Sequence, residues 1–223
     1  VNDESIFFHK VNVPFYPLFN FQPYELALST KIVDVATKNA IDLIHVHYAI
    51  PHAYAAYMAQ KMLKMNNIKL PIITTLHGTD ITLVGKHPFY KNAVKFSIEK
   101  SNIVTSVSES LKNDTHEFFE IKKKIEIIPN FVDIRKFDNQ LDICSNTDNV
   151  KTITHVSNFR PVKNIRTLIK IFSKISENHD CKFNLIGEGP ELEVAKSMSE
   201  ELKIKNIYFL GNTNEVEKEL CHS

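Results

Sequence analysis

Short apolar runs bounded by turn residues alternate along the chain with longer stretches whose apolar positions recur at helical spacing. The runs are rich in Ile, Val, Phe and Thr, as strands covered on both faces are. They predict strands over 42–47, 72–77, 102–107, 124–128, 152–157, 182–187 and 206–210, and the stretches between them predict helices over 24–38, 52–65, 89–100, 109–119, 165–176 and 191–202. Strand followed by amphipathic helix is what a parallel sheet with crossover connections requires, so the fold class is α/β. Local signals fit this order. Ser108 stands where an N-cap would follow the strand ending at Val107, and Pro190 suits the first turn of the helix after Gly189. The helix over 109–119 sets Leu111, Thr115, Phe118 and Phe119 roughly on one side, ready for burial against a sheet.

The pattern fails between Asp138 and Asn149, which are polar and aperiodic, and a fresh strand opens at Thr152. This predicts two domains, 1–137 and 150–223, joined by a linker at 138–149, the second short for an α/β domain. Val1-Asn2-Asp3-Glu4 is neither a signal peptide nor a Met start, and Glu219-Leu220-Cys221-His222-Ser223 stops inside a helical pattern, so both ends are expected to be cut.

Composition narrows the classes. With 43% hydrophobic and 24% charged residues the chain can bury a core, which argues against disorder. A net charge of +1, from 27 basic and 26 acidic side chains, gives no field that would draw nucleic acid or an anionic membrane, so any anion must be held at a local site. No run approaches the roughly 18 apolar residues that span a bilayer. Cys144, Cys181 and Cys221 are odd in number and dispersed, which argues against a disulfide framework and against zinc, and fits a reducing, cytoplasmic compartment. Whether copies associate as a homo-oligomer stays open.

Candidate chemistry collects after the predicted strands, the edge where open α/β sheets bind ligands. His77-Gly78-Thr79-Asp80 follows the second strand: Gly78 permits positive φ or close backbone approach, Thr79 offers a hydroxyl, and Asp80 can orient an imidazole or cap the next turn. The same residues also make an ordinary strand-end turn. His45, His47 and His52, with His77, raise metal ligation and a metal-dependent hydrolase, but no Asp or Cys nearby in sequence completes a set, and strand-end or core histidines are the better reading. Asn130, in Pro129-Asn130-Phe131-Val132-Asp133, binds a ligand or shapes the turn. Ser157-Asn158-Phe159-Arg160-Pro161-Val162-Lys163-Asn164 joins a strand to a helix with two cations in a short turn, which suits a diphosphate or, equally, a solvated basic loop. Gly187-Glu188-Gly189-Pro190-Glu191 looks like half a glycine-rich phosphate loop. Taken together, the loops suggest two α/β units facing one another across a cleft.

In this order, Leu76-His77-Gly78-Thr79-Asp80, Val107-Ser108-Glu109-Ser110-Leu111, Ile128-Pro129-Asn130-Phe131-Val132-Asp133, Asn158-Phe159-Arg160-Pro161-Val162-Lys163 and Gly187-Glu188-Gly189-Pro190-Glu191 resemble glycosyltransferase family 4, retaining enzymes with two Rossmann-like domains in the GT-B fold. His77-Gly78-Thr79-Asp80-Ile81-Thr82, His45-Val46-His47-Tyr48-Ala49-Ile50-Pro51 and the loop from Ser157 are most similar to members acting in bacillithiol biosynthesis. The resemblance implies transfer of N-acetylglucosamine from UDP-N-acetylglucosamine to L-malate, with no cofactor and no essential metal. It implies His77, Arg160 and Lys163 as catalytic, with His77 near the sugar and the two cations on the leaving diphosphate. It implies Gly78, Asn158, Arg160, Lys163, Gly187 and Glu188 on the donor, and Tyr48, Thr79 and Asn130 on the acceptor. Another acceptor, or a silent nucleotide-sugar-binding module, stays open.

Two departures matter. Many members carry Arg five residues before the lysine and Gly after it, where this chain has Asn158 and Asn164. The family's first glycine-rich loop and its later Glu-x7-Glu element fall outside these residues, so the stretch alone is expected to lack turnover and to be poorly stable.

Overall fold

The computed structural model describes residues 5–15, 17–18, 22–135, 150–221 and 223. The expected linker at 138–149 lies outside them. The chain forms two compact units, Val1–Phe131 and Val132–Ser223.

In the first unit four parallel strands, β1 (Ile44–His47), β2 (Ile72–Leu76), β3 (Ile103–Ser106) and β4 (Ile125–Ile127), lie in the order β1-β2-β3-β4. Helices α1 (Tyr24–Lys38), α2 (Tyr54–Met65), α3 (Pro88–Lys100) and α4 (Glu109–Phe119) connect and cover them. Leu76, Ile81, Val94, Ile98, Val104, Leu111 and Phe119 make one core, and Ala36, Ile44, Ala56, Leu63, Leu70 and Ile72 make another. The interior strand β2 is buried along nearly its whole length, as the apolar runs predict, whereas only Ile44 of edge strand β1 is buried. Buried threonines are tolerated in the middle because their hydroxyls find partners: Thr74 with Ser101 at 2.7 Å and Thr75 with Thr105 at 2.8 Å.

Ser108 caps α4 as its position predicts, its hydroxyl accepting from the Leu111 N–H at 3.2 Å, and Leu111, Thr115 and Phe119 are buried beneath that helix. The helix expected from His52 begins two residues later. A wide π-type turn, Ala49–Ala53, comes first, with Ile50 extended and a cis Ile50–Pro51 bond, because proline is a poor interior helix residue. A second such turn, Thr79–Leu83, follows Gly78.

In the second unit β5 (Lys151–Val156), β6 (Cys181–Ile186) and β7 (Ile207–Gly211) form a parallel sheet in that order, with α5 (Ile165–Ser176), α6 (Leu192–Glu201) and α7 (Val216–Cys221). Along α5 the residues Ile165, Leu168, Ile169, Phe172 and Ile175 form one stripe, and Phe172 stacks on Phe183 with centroids 4.5 Å apart. Pro190 stands just before α6 rather than in its first turn. Cys181 is a buried free thiol, but Cys221 is disulfide-bonded, which the dispersed spacing did not predict. Among the described residues no helix is long and apolar enough to cross a membrane.

Candidate active site

Parallel strands end on one edge, so the turns after β1 and β2 meet. The Tyr48 N–H bonds to the Thr75 carbonyl at 2.9 Å and continues the ladder past β1, after which Tyr48 takes a positive φ of 75°. Asp80 ties the two turns together. Its carboxylate is 3% exposed and accepts from the Ala49 N–H at 2.9 Å, the Gly78 N–H at 3.1 Å and the His77 N–H at 3.3 Å. Of the two roles expected for Asp80, orienting an imidazole or capping the next turn, the structure shows neither as stated: its oxygens accept from backbone N–H groups of Ala49, His77 and Gly78. Gly78 has φ 113°, the conformation for which glycine was singled out.

On this frame stand the aromatic side chains. His47 Nδ1 lies 2.7 Å from His77 Nε2, and the Tyr48 and His77 rings are 5.0 Å apart. His52 Nδ1 donates to the His47 carbonyl at 2.7 Å, and His45 Nε2 bonds with the Thr75 hydroxyl at 2.9 Å. Each of these bonds uses one ring nitrogen of the histidine, and among the described residues no group of three or more His, Cys, Asp or Glu is arranged to hold a metal ion. Thr79 is exposed at the rim. Asn130 is also exposed, but it follows β4, two strands from β2 and so roughly 10 Å along the sheet. The structure therefore gathers Tyr48, His77, Gly78 and Thr79 and leaves Asn130 apart.

Partial desolvation holds His45 and His77 below the ordinary imidazole pKa, although His45 keeps much of its surface in water, and the neighbouring histidines push the same way; for His77 the Asp80 charge opposes this. His155 in the second unit is lowered by burial and then by the Lys163 charge. A folded-state pKa below the unfolded one means the unfolded chain takes up protons first as pH falls. These groups therefore stabilise the fold fully above about pH 6.5, and that contribution is lost as pH descends toward their folded pKa values. The melting temperature should drop between pH 7 and 5; a flat profile would count against neutral imidazoles at these three positions.

In the second unit the loops after β5 and β6 touch backbone to backbone. The Ser157 N–H bonds to the Ile186 carbonyl at 3.0 Å, the Gly187 N–H to the Gly211 carbonyl at 2.8 Å and the Glu191 N–H to the Phe159 carbonyl at 2.9 Å. Phe159 is fully buried and packs against His155, whose Nε2 bonds with the Ser157 hydroxyl at 2.8 Å. With Phe159 anchored inward, Asn158 and Arg160 are left exposed on either side of it. Pro161–Lys163 forms a 3₁₀ turn that delivers Lys163 just before α5. Asn164 explains one departure from the family pattern. It sits at φ 49°, ψ 46°, the left-handed conformation that glycine takes most readily and asparagine next, so the turn survives without glycine. Gly187 is buried with φ 121°, Gly189 has φ 155°, and Glu188 between them is exposed. Asn158, Arg160, Lys163, Gly187 and Glu188 thus line one carboxyl edge, with Lys163 at the start of α5.

Sequence reasoning missed His155 as the anchor of the β5 loop, and weighed His47 as a metal ligand or a strand-end histidine but not as a partner of His77. The i, i+2 spacing of His155 and Ser157 on one strand face was the available signal.

Two parallel-sheet units of Rossmann type, each carrying its loops at the carboxyl edge, define the class. Residues 2–136 match the model of Glycosyltransferase Family 4, and residues 138–223 match that of Glycosyl transferases group 1. Among curated proteins the chain is 40% identical over 225 residues to N-acetyl-alpha-D-glucosaminyl L-malate synthase of Bacillus anthracis, covering 98% of this chain and 58% of that protein. It is 26% identical over 200 residues to an uncharacterized glycosyltransferase of Methanocaldococcus jannaschii, covering 90% and 52%. Among solved structures, a glycosyltransferase from Rickettsia africae superposes with TM-score 0.63 at 21% identity, covering 92% of this chain and 56% of that one. Anabaena HepE in complex with UDP and glucose superposes with TM-score 0.66 at 16% identity, covering 94% and 56%. These superpositions show the fold, α/β with Rossmann-like units of the GT-B type. The chain belongs to glycosyltransferase family 4. It spans little more than half the length of the curated relatives it matches.

Proposed function

We propose that the protein containing these residues is a retaining glycosyltransferase that moves N-acetylglucosamine from UDP-N-acetylglucosamine to the hydroxyl of L-malate, in the cytoplasm, as a step of bacillithiol biosynthesis. The observation that carries this reading is the 40% identity, over 98% of the chain, to a protein named for that product. In the reaction the bond from sugar C1 to the phosphate oxygen breaks, a bond from C1 to the malate oxygen forms, the hydroxyl proton is lost and UDP departs. Charge develops on the departing diphosphate, and Lys163 and Arg160 supply cations there beside the start of α5. Asn158 and the backbone of Gly187 line the same edge, with Glu188 at its rim. His77 and Gly78 face the sugar, Tyr48 and Thr79 the acceptor, and Asn130 reaches that side only from two strands away. No step needs a metal ion.

The test uses the full-length protein. UDP release should require both UDP-N-acetylglucosamine and L-malate. If malate has no effect while another hydroxy acid or sugar supports release, the acceptor is wrong; if chelation abolishes a hydrolysis that needs no acceptor, the class is wrong. Lys163→Ala should weaken UDP binding about tenfold to a hundredfold, the worth of one charge-assisted hydrogen bond, and unchanged affinity by titration calorimetry would remove Lys163 from the diphosphate.

A further inference from the structure

The role of His77 proposed above leaves unexplained what fixes its ring. His47 is the last residue of β1, thirty positions earlier in the chain, and its Nδ1 lies 2.7 Å from His77 Nε2. A bond between two imidazole nitrogens needs one N–H and one lone pair, so the two rings share a single proton at that contact. The backbone of His47 is fixed by the β1–β2 ladder and by His52 Nδ1–H donating to its carbonyl at 2.7 Å, and its ring stacks on that of His45 with centroids 4.9 Å apart. It therefore acts as the fixed partner. With Nε2 of His77 engaged by His47, Nδ1 is the nitrogen that His77 has left for a ligand.

We infer that His47 is a positioning residue for the reaction, holding the His77 ring through Nε2 so that its Nδ1 is presented to the substrate. The inference rests on the reading of His77 as facing the sugar. It also gives the pair a charge rule. While the bond lasts the two rings carry at most one positive charge, because a second proton would set two N–H groups head to head. The other groups around the pair are His45 on β1, Tyr48 and His52 in the turn after β1, Tyr24 on α1 behind His52, and Asp80 in the turn after β2. The Asp80 carboxylate is occupied by the N–H groups of Ala49, His77 and Gly78, so it does not take over the role of His47.

Three substitutions at one position separate positioning from packing. In asparagine the side-chain amide falls near the place of imidazole Nδ1, in glutamine it falls near Nε2, and phenylalanine fills the ring volume without a polar atom. In the full-length protein, His47→Phe should lower kcat about tenfold or more with KM for both substrates little changed. His47→Asn should recover most of that loss, and His47→Gln should not. In nitrogen-15 NMR of the labelled imidazoles, His77 should show one tautomer in the wild type and in His47→Asn, and a tautomer mixture with a shifted titration in His47→Phe. Wild-type kcat in His47→Phe, or equal kcat in the Asn and Gln variants at equal melting temperature, would overturn the inference. If His47→Phe fails to fold, the Asn and Gln pair carries the comparison. His77→Ala tests the underlying reading separately: full activity there would remove His77 from the reaction, while the NMR tautomer of His77 would still report whether His47 sets it.

Discussion

Asp80→Ala is expected to destabilise the first unit by about 3 kcal/mol or more and to disorder the turns after β1 and β2 together. The carboxylate is buried, and its loss leaves the buried N–H of Ala49 unpaired and takes the acceptor from the part-buried N–H groups of His77 and Gly78. The buried Ala49 donor left unpaired costs roughly 1–3 kcal/mol, and the two part-buried donors add a smaller share, so the sum exceeds the loss from a typical surface change. Amide exchange is the direct readout: the protons of Ala49, His77 and Gly78 should exchange at least about a hundredfold faster, as a loss of that size requires. Asp80→Asn should lie between, since one amide oxygen still accepts while its NH2 group opposes the remaining donors. Unchanged exchange at all three amides in Asp80→Ala would refute the role of this carboxylate as the tie between the two strands.

Gly187→Ala should be the most damaging single methyl in the second unit. A Cβ at that position would lie 1.8 Å from the Ser157 carbonyl oxygen, and the residue also holds φ 121°. Neither atom can yield cheaply, because Ser157 is pinned through its own N–H to Ile186 at 3.0 Å and Gly187 through its N–H to Gly211 at 2.8 Å. Overpacking and backbone strain add here, for about 3 kcal/mol or more. Gly78→Ala is the matched control. Gly78 also has positive φ, 113°, but its Cβ would meet nothing within 4 Å, so only conformational strain of about 1–3 kcal/mol applies, without a clash added to it. Melting curves of the two variants should differ accordingly. Equal destabilisation would mean that strain, and not the close approach of the β5 and β6 loops, explains the glycine.

The periodicity of the chain determined much of this. Apolar runs and helical stripes are local properties, so α1, α4 and α5 fall on the residues that their patterns mark, and the strands differ from expectation only by a residue or two where the chain turns off the sheet edge. The Ser108 cap was legible for the same reason, since donor and acceptor are three residues apart. The wide turn Ala49–Ala53 was not: Pro51 keeps a regular helix from starting there, but the group that holds the turn is Asp80, thirty-one positions away from Ala49.

The candidate site divides along the same line. That His77, Thr79, Arg160, Lys163 and Gly187 would stand at strand ends followed from their order in the sequence, since every parallel strand delivers its next residue to the same edge. Which of them meet did not follow. His47 with His77, Asp80 with Ala49, and Gly187 with Ser157 are contacts across neighbouring strands, and their partners are fixed by sheet order and register, which pairing between distant segments decides. The sequence by itself determined the α/β class, the family and the edge where the candidate residues collect. Only the tertiary structure turned the histidines into a hydrogen-bonded pair and turned Asp80 into the carboxylate that holds the two turns in place.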